Sequence, residues 1–147
     1  MDYAIIAAGE GSRLVQEGVK WPKPLVQLNG TALIDRLINV FLKNDASSIS
    51  IIVNEEMTEV QEHLRKLELP VPFYLLVKST PSSMHSFYEL SHHLDSDHIC
   101  LTTVDTIFKE EEFGGYIQAF LKESQLDGLM AVTDFIDDEK PLYVDTD

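Results

Sequence analysis

The segment YAIIAAGEGSRL, residues 3–14, contains residue types that are suited to binding phosphate. An apolar run leads into Gly9 and Gly11, which flank a single residue, and Arg13 follows two positions later. The glycines place no Cβ between the backbone amides and a ligand, and amides curled in this way form a cradle for anions. The guanidinium of Arg13 adds a cation whose fork geometry suits phosphate oxygens. The pattern predicts a phosphate loop, with a tight strand-to-helix turn as the alternative.

A second positive charge follows on a stiffened segment. KWPKPL, residues 20–25, places Lys23 between two prolines. The prolines restrict the backbone on either side and hold the segment extended, so the lysine is presented as a directed charge. Two common phosphate fingerprints do not fit, because no lysine follows Gly11 at the P-loop spacing and Leu14 stands where the dinucleotide fingerprint needs a small residue.

Strands and helices alternate along the chain. Continuous apolar or β-branched runs indicate strands, and apolar residues at helical spacing indicate amphipathic helices. Thr31 and Thr58 are candidate helix caps. The order indicates an α/β fold with a mostly parallel sheet, in which ligands bind at the carboxyl ends of the strands. The predicted strands are 3–8, 48–54, 72–77, 98–104, 128–135 and one beginning at 141, and the predicted helices are 31–44, 56–67, 82–94 and 115–123.

The two motifs are specific when they are taken together. AAGxGxRL and PKPLxxLxGxxLI resemble the nucleotidyltransferase family that activates sugar phosphates and related alcohol phosphates. The resemblance implies a three-layer αβα Rossmann-like nucleotide-diphospho-sugar transferase fold. It also implies transfer of a nucleoside monophosphate from a triphosphate to a phosphorylated acceptor, with release of pyrophosphate. The matching residues are Ala7 to Leu14, Pro22, Lys23, Pro24, Leu25, Leu28, Gly30, Leu33 and Ile34.

The resemblance also implies roles for single residues. Arg13 and Lys23 would be catalytic, neutralising charge during the transfer. Asp105, in LTTVDTIF at 101–108, matches the family's second landmark and would hold Mg²⁺. An acidic side chain at the carboxyl end of a strand suits a cation in this fold, and a turn or helix-capping role is the alternative. The residues that would bind the triphosphate with Arg13 are Ala8, Gly9, Glu10, Gly11 and Ser12.

A third segment, KSTPSSMHSFYEL at 78–90, lies where the resemblance implies contact with base and ribose. Many family members carry a Gly-Thr pair there, whereas this segment has no glycine, so no base preference follows. Thr80, Ser82 and Ser83 are the candidate nucleotide-binding residues, since hydroxyls and helix N-terminal amides can bind ribose or base edges. The two serines are equally suited to capping the helix. The residues predicted to be surface histidines are His85, His92 and His93.

Composition restricts the class of partner. A net charge of −14 argues against nucleic acid, because binding a phosphate backbone needs a basic face. Residues 1–50 are neutral, so a small phosphate ligand would bind there. No apolar stretch is long enough to span a membrane, and the single cysteine, Cys100, is predicted to be a buried core thiol rather than a nucleophile. These features predict a cytoplasmic protein. The acidic segment FKEEEF, 108–113, is predicted to be a solvated face.

Residues 1–147 are therefore expected to form the N-terminal, nucleotide-binding part of a single nucleotidyltransferase domain. PLYVDTD, residues 141–147, is an extended segment with nothing after it to pair with, which predicts a chain truncated at the C-terminus and weak or absent turnover. An unfinished sheet edge would allow two copies to associate. A non-catalytic nucleotide-binding module is the alternative function.

Overall fold

The computed structural model describes residues 1–9, 18, 22–123, 125–133 and 143–145. The predicted site residues Glu10, Gly11, Ser12 and Arg13 lie outside the described residues. The chain divides into two compact units, Met1–Ile107 and Phe108–Asp147.

The described residues of the first unit form six strands, three α-helices and one 3-10 helix. The helices confirm three of the predicted ones, and each is shorter than predicted by one to three residues at each end. The strands are β1 Asp2–Ile6, β2 Gln27–Leu28, β3 Thr31–Ala32, β4 Ser48–Val53, β5 Phe73–Val77 and β6 Ile99–Thr103. The helices are the 3-10 helix Lys23–Leu25, α1 Leu33–Lys43, α2 Thr58–Arg65 and α3 Ser83–Ser91.

Four of the strands form a parallel sheet in the order β5-β4-β1-β6. The chain adds β4 and then β5 on one side of β1 and afterwards returns to place β6 on the other side. Ile5 of β1 lies between Ile51 of β4 and Thr102 of β6 in the register of the sheet. The strand order therefore reverses beside β1, and the β1–β6 boundary is the topological switch point of the sheet.

The helices cover both faces of this sheet. On one face, the ring of Tyr3 stacks on Phe41 of α1 with centroids 4.4 Å apart, and its hydroxyl donates to the carbonyl of Asn44 at 2.8 Å. On the other face, Leu90 of α3 packs with Ala4, Ile6 and Ile52. Alternate residues of β1 thus face opposite helix layers, and all five are buried. The predicted three-layer αβα arrangement is confirmed.

A short hairpin changes the predicted start of α1. Strands β2 and β3 pair through a two-residue turn in which Asn29 has φ 51° and Gly30 has φ 83°. Positive φ at both central residues is what a tight hairpin turn of this twist requires. Because Thr31 and Ala32 are used in the hairpin, α1 begins at Leu33, and the predicted Thr31 cap is wrong.

The other predicted caps had different outcomes. Thr58 does not cap α2, because Met57 precedes the helix and the side-chain oxygen of Asn54 accepts the amides of Glu56 and Met57, both at 3.0 Å. Ser82 does cap α3, since its hydroxyl accepts the amide of His85. Of the three predicted surface histidines, His85 and His92 are exposed and His93 is half-buried.

The second unit contains α4, Glu110–Lys122, which begins five residues earlier than predicted. Its first turn holds three glutamates of the FKEEEF segment, where negative charge interacts favourably with the helix dipole. The predicted strand 128–135 is wrong over 128–133, where no strand forms, and 134–135 lie outside the described residues. An extended segment becomes a strand only by pairing, and in this stretch the carbonyl of Leu129 instead accepts the Tyr116 hydroxyl at 2.5 Å. Of the strand predicted from 141, only 143–145 are described, and they are not a strand.

Cys100 is buried in β6, as predicted, and burial raises the pKa of its thiol to about 11. Such a thiol is not poised as a nucleophile near neutral pH.

Across the described stretches of the chain, no helix has the length and apolar character needed to cross a membrane.

Two buried serines allow a matched stability test. Ser50 is fully buried, and its hydroxyl has no hydrogen-bond partner among the described residues, whereas the Ser86 hydroxyl lies 2.6 Å from that of Thr80. We expect Ser50→Ala to be neutral or stabilising, and Ser86→Ala to lower the free energy of unfolding by about 1 kcal/mol. Urea unfolding of both variants measures this. A larger loss for Ser50→Ala than for Ser86→Ala would contradict it.

Candidate functional site

Backbone hydrogen bonds continue the sheet just beyond the carboxyl ends of its strands. The amide of Val104 donates to the carbonyl of Ile6 at 3.2 Å, and the amide of Ala7 donates to that of Ile52 at 2.9 Å. The segments that follow β1, β4 and β6 are therefore held side by side at one edge of the sheet. Ligands of open α/β sheets bind at this edge, at the switch point.

Two predicted site residues meet there. The Nζ atom of Lys23 donates to Oδ2 of Asp105 at 2.5 Å, although the two residues are 82 positions apart in the chain. Lys23 begins the 3-10 helix, and Asp105 lies two residues beyond β6, which forms the switch point with β1. Their side chains are 33% and 44% exposed, so a ligand from solvent can reach both.

The environment of Asp105 favours its charged form. Burial alone would raise the pKa of this carboxyl group, but hydrogen bonds from Lys23 and Thr103, together with the charge of Lys23, outweigh burial and hold the pKa below its ordinary value. Asp105 is therefore a carboxylate at neutral pH.

Asn54 anchors the start of the predicted phosphate loop, and sequence reasoning missed it. Its side-chain amide donates to the carbonyl of Ala8 at 3.2 Å, while its side-chain oxygen accepts the two amides before α2. Gln61 in turn donates to the backbone carbonyl of Asn54 at 3.1 Å. Both side chains are 7% exposed, so their polar groups depend on these bonds. The predicted strand 48–54 included Asn54, and an asparagine at the end of a strand is a weak signal, because it is equally typical of an ordinary turn.

Gly9 is the one glycine of the predicted loop that falls within the described residues. It is exposed, and a Cβ built on it would meet no atom within 4 Å. Its φ is not positive, so this glycine does not use its access to the left-handed region. Its contribution is the bare backbone that it leaves open to solvent.

The three candidate nucleotide-binding hydroxyl residues lie around the start of α3. Ser82 contacts Nδ1 of His85 at 2.8 Å in addition to capping the helix. Thr80 contacts Ser86, and Ser83 is the first residue of the helix. The loop that follows β4 is hydrogen-bonded to the segment before α3, because the Ser79 hydroxyl accepts the amide of Glu55 at 3.3 Å. Their role in binding nucleotide stays a prediction.

A separate open cleft of about 590 Å³ contains none of the predicted site residues. In it, Nε2 of His63 lies 2.7 Å from a carboxylate oxygen of Asp35, joining α2 to α1. The cleft is lined by Leu25, Gln27, Gly30, Thr31, Ala32, Asp35 and His63.

A parallel sheet with helices on both faces and a strand order that reverses beside β1 is the architecture of Rossmann-like domains. The chain belongs to the MobA-like NTP transferase domain family, which its sequence matches over residues 3–145. The resemblance read from the two N-terminal motifs is thereby confirmed, and members of this family are nucleotidyltransferase enzymes.

Individual relatives agree with this assignment. The chain is 28% identical over 123 residues to the bifunctional protein GlmU of Thermodesulfovibrio yellowstonii, covering 83% of this chain and 26% of that one. It is 28% identical over 111 residues to the 2-aminoethylphosphonate cytidylyltransferase of Lancefieldella rimae, covering 73% and 44%. The inositol-1-phosphate CTP transferase of T. maritima shares the fold with a TM-score of 0.63 and 20% identity, covering 74% and 45%. The chain thus spans less than half the length of each.

The family generally depends on a divalent metal, and the surroundings of Asp105 suit one. Mg²⁺ prefers oxygen ligands and is usually held by one or two carboxylates together with substrate phosphates and water. Asp105 offers an ionised, partly exposed carboxylate at the edge where phosphate is expected. Among the residues that the structure describes, no group of three or more metal-binding side chains comes together. Asp105 therefore fits the role of a carboxylate that holds a cation together with substrate and water.

The lowered pKa of Asp105 predicts how the Lys23–Asp105 pair contributes to stability. Its contribution is complete above the unfolded pKa of about 3.9 and is lost as the pH falls through the lower folded value. We expect Lys23→Met to cost about 0.2–1 kcal/mol near neutral pH, since both groups are partly exposed.

Urea unfolding across the acid range tests this expectation. The difference between Lys23→Met and the unchanged protein should shrink as the solution is acidified through the folded pKa of Asp105. A difference that stays constant with pH would show that the pair does not contribute through its charges.

Proposed function

We propose that the chain provides the donor-nucleotide site of a nucleotidyltransferase that moves a nucleoside monophosphate from a triphosphate to a phosphorylated acceptor and releases pyrophosphate. The observation that carries the proposal is the contact of Lys23 with Asp105 at the switch point of the sheet. The family resemblance implies that Lys23 neutralises charge during the transfer and that Asp105 holds the metal, although the two residues lie in separate motifs. In this proposal, Ala8 and the loop from Gly9 to Arg13 bind the triphosphate.

The reaction requires charge stabilisation more than proton transfer. A phosphate monoester is largely dianionic near neutral pH, because its second pKa is about 6, so its oxygen attacks the α-phosphorus without a general base. The obstacle is repulsion between two anions and their alignment in line. Lys23 and Arg13 reduce the repulsion, and the backbone of the glycine loop orients the triphosphate.

Asp105 would hold the divalent cation. When bound, this cation would neutralise phosphate charge and bridge the triphosphate to the protein. Thr103 would support the site by donating a hydrogen bond to Asp105, which keeps the carboxylate ionised.

The names of two similar proteins support a chemical class for the acceptor. One is named a 2-aminoethylphosphonate cytidylyltransferase, and the other is described as an inositol-1-phosphate CTP transferase. We therefore propose a phosphorylated sugar or alcohol, or a phosphonate, as the acceptor. Thr80, Ser82 and Ser83 would contact the ribose or base. We further propose that residues 1–147 are the N-terminal part of a single domain, in a reducing, cytoplasmic environment that suits the buried thiol of Cys100.

The direct experiment is an assay of pyrophosphate release. The chain is incubated with each nucleoside triphosphate in turn, with Mg²⁺ and a panel of phosphorylated sugars, alcohols and phosphonates. Acceptor-dependent pyrophosphate release supports the proposal. Triphosphate binding without release by this chain agrees with the weak or absent turnover expected of it, and the same result from a longer chain that includes the acceptor-binding part would favour the non-catalytic nucleotide-binding module.

The first expected outcome concerns Arg13. Arg13→Ala should weaken triphosphate binding by about tenfold or more, because a charge-assisted contact to phosphate is worth about 1.5–3 kcal/mol. Its unfolding midpoint should be unchanged. Calorimetric titration measures the affinity, and Arg65→Ala, which removes an exposed arginine on α2, is the matched control. Equal affinity in the two variants would remove Arg13 from the site.

The second expected outcome concerns Asp105. Asp105→Asn should abolish the Mg²⁺ dependence of triphosphate binding while leaving metal-free binding nearly unchanged, because it removes the anionic ligand but keeps the shape. Asp97→Asn, at an exposed position before β6, changes the net charge equally and should retain the dependence. Titrations with and without Mg²⁺ compare the two. Full Mg²⁺ dependence in Asp105→Asn would overturn the metal assignment.

A further inference from the structure

We propose that Lys23 acts as a resident cation on Asp105, which an incoming divalent metal must displace, so that metal binding and release of the lysine toward the phosphates are one exchange. The proposal rests on the proposed function, because it takes Asp105 as the metal ligand. It goes further because it gives Lys23 two alternative partners, the carboxylate of Asp105 and the phosphates of the nucleotide.

The contact geometry supports a single shared position. The ammonium of Lys23 contacts Oδ2 of Asp105 directly, with no room for another ligand between the two atoms. A metal coordinating the same oxygen would stand where the ammonium now stands, and two cations repel each other at such a distance. In the proposed exchange, Asp105 binds either the ammonium or the metal through Oδ2.

The backbone of Lys23 is fixed, so the exchange has to be a movement of its side chain. Two prolines flank the residue, and the amides of Leu25 and Val26 donate to the carbonyls of Pro22 and Lys23 at 2.8 and 3.2 Å. The amide of Leu33, the first residue of α1, donates to the carbonyl of Val26 at 3.0 Å. The segment is tied to α1, while the four-carbon side chain keeps rotatable bonds and its ammonium is partly exposed.

The charge balance gives the exchange its direction. Asp105 is the anion that Lys23 contacts in the structure, and the pair keeps a carboxylate and an ammonium neutralised at the open edge of the sheet. A metal–triphosphate complex brings its own cation for Asp105 and supplies phosphate oxygens as new partners for Lys23. Lys23 then leaves Asp105 and can contact the phosphates, whose negative charge must be stabilised during the transfer.

The test measures Mn²⁺ binding to the chain without nucleotide, by the loss of the free-ion signal in electron paramagnetic resonance. Lys23→Met removes the resident cation and should tighten Mn²⁺ binding by about threefold or more, a change within the reach of a partly exposed ion pair. Lys23→Arg keeps the cation and should leave the affinity close to that of the unchanged chain. Lys78→Met is the matched control, because it breaks a 2.7 Å surface ion pair with Glu89 and removes the same charge.

The possible results separate this proposal from the proposed function. Tighter binding in Lys23→Met alone supports the exchange. If Asp105→Asn loses Mn²⁺ binding while Lys23→Met binds as the unchanged chain does, the exchange is overturned and the metal site stands. If Lys78→Met tightens binding as much as Lys23→Met, the effect is one of net charge and the exchange is overturned. If Asp105→Asn keeps full Mn²⁺ affinity, the metal site itself is wrong.

Discussion

The central position of β1 is the constraint on which the described structure depends. This strand is paired on both sides and buried on both faces, so it offers no polar group to solvent along its length. In a parallel sheet, the carboxyl ends of all the strands lie at one edge. Polar chemistry is therefore confined to the residues directly after the strands. Ala8, Asn54 and Asp105 occupy such positions after β1, β4 and β6.

The polar groups at this edge are held by each other more than by packing. Asn54 satisfies two amides before α2 and also binds the carbonyl of Ala8, so one buried side chain fixes two loops. Gln61 fixes Asn54 from within α2. The candidate site is thus supported by a hydrogen-bonded layer beneath it, which reduces the conformational freedom that binding a phosphate would otherwise have to remove.

The sequence predicted the elements of the sheet well, because their signals are local. Continuous apolar runs identified the four strands of the sheet, and the paired glycine and proline motifs identified the family. Local signals failed where tertiary pairing decides the outcome. The 128–135 segment is apolar enough for a strand, yet no strand forms over 128–133, and Met130 and Val132 are exposed. An Asn-Gly pair is typical of a hairpin turn, but the predicted helix was started at Thr31, directly after this turn. In the structure, Thr31 belongs to the second strand of the hairpin.

The site itself was predictable only in part. The roles of Lys23 and Asp105 were predicted from the resemblance of their motifs and stay predictions. Their direct contact was not predicted, because no local pattern pairs residues that far apart. Asn54 was missed because a single asparagine after a strand resembles an ordinary turn residue. Sequence patterns report which groups are available, whereas the topology of the sheet decides which of them touch.

The separation of Lys23 from Asp105 also has a consequence for the order of folding. The 3-10 helix, the β2–β3 hairpin and α1 are consecutive in the chain and joined by short-range hydrogen bonds, so they can form early. Asp105 reaches Lys23 only after β4, β5 and β6 have been added, which closes a loop of 82 residues. On a ribosome, the lysine would emerge long before its carboxylate partner. A partly folded or nicked chain would therefore keep much of its local structure and still lack the site, so integrity of the sheet is a precondition for any nucleotide chemistry.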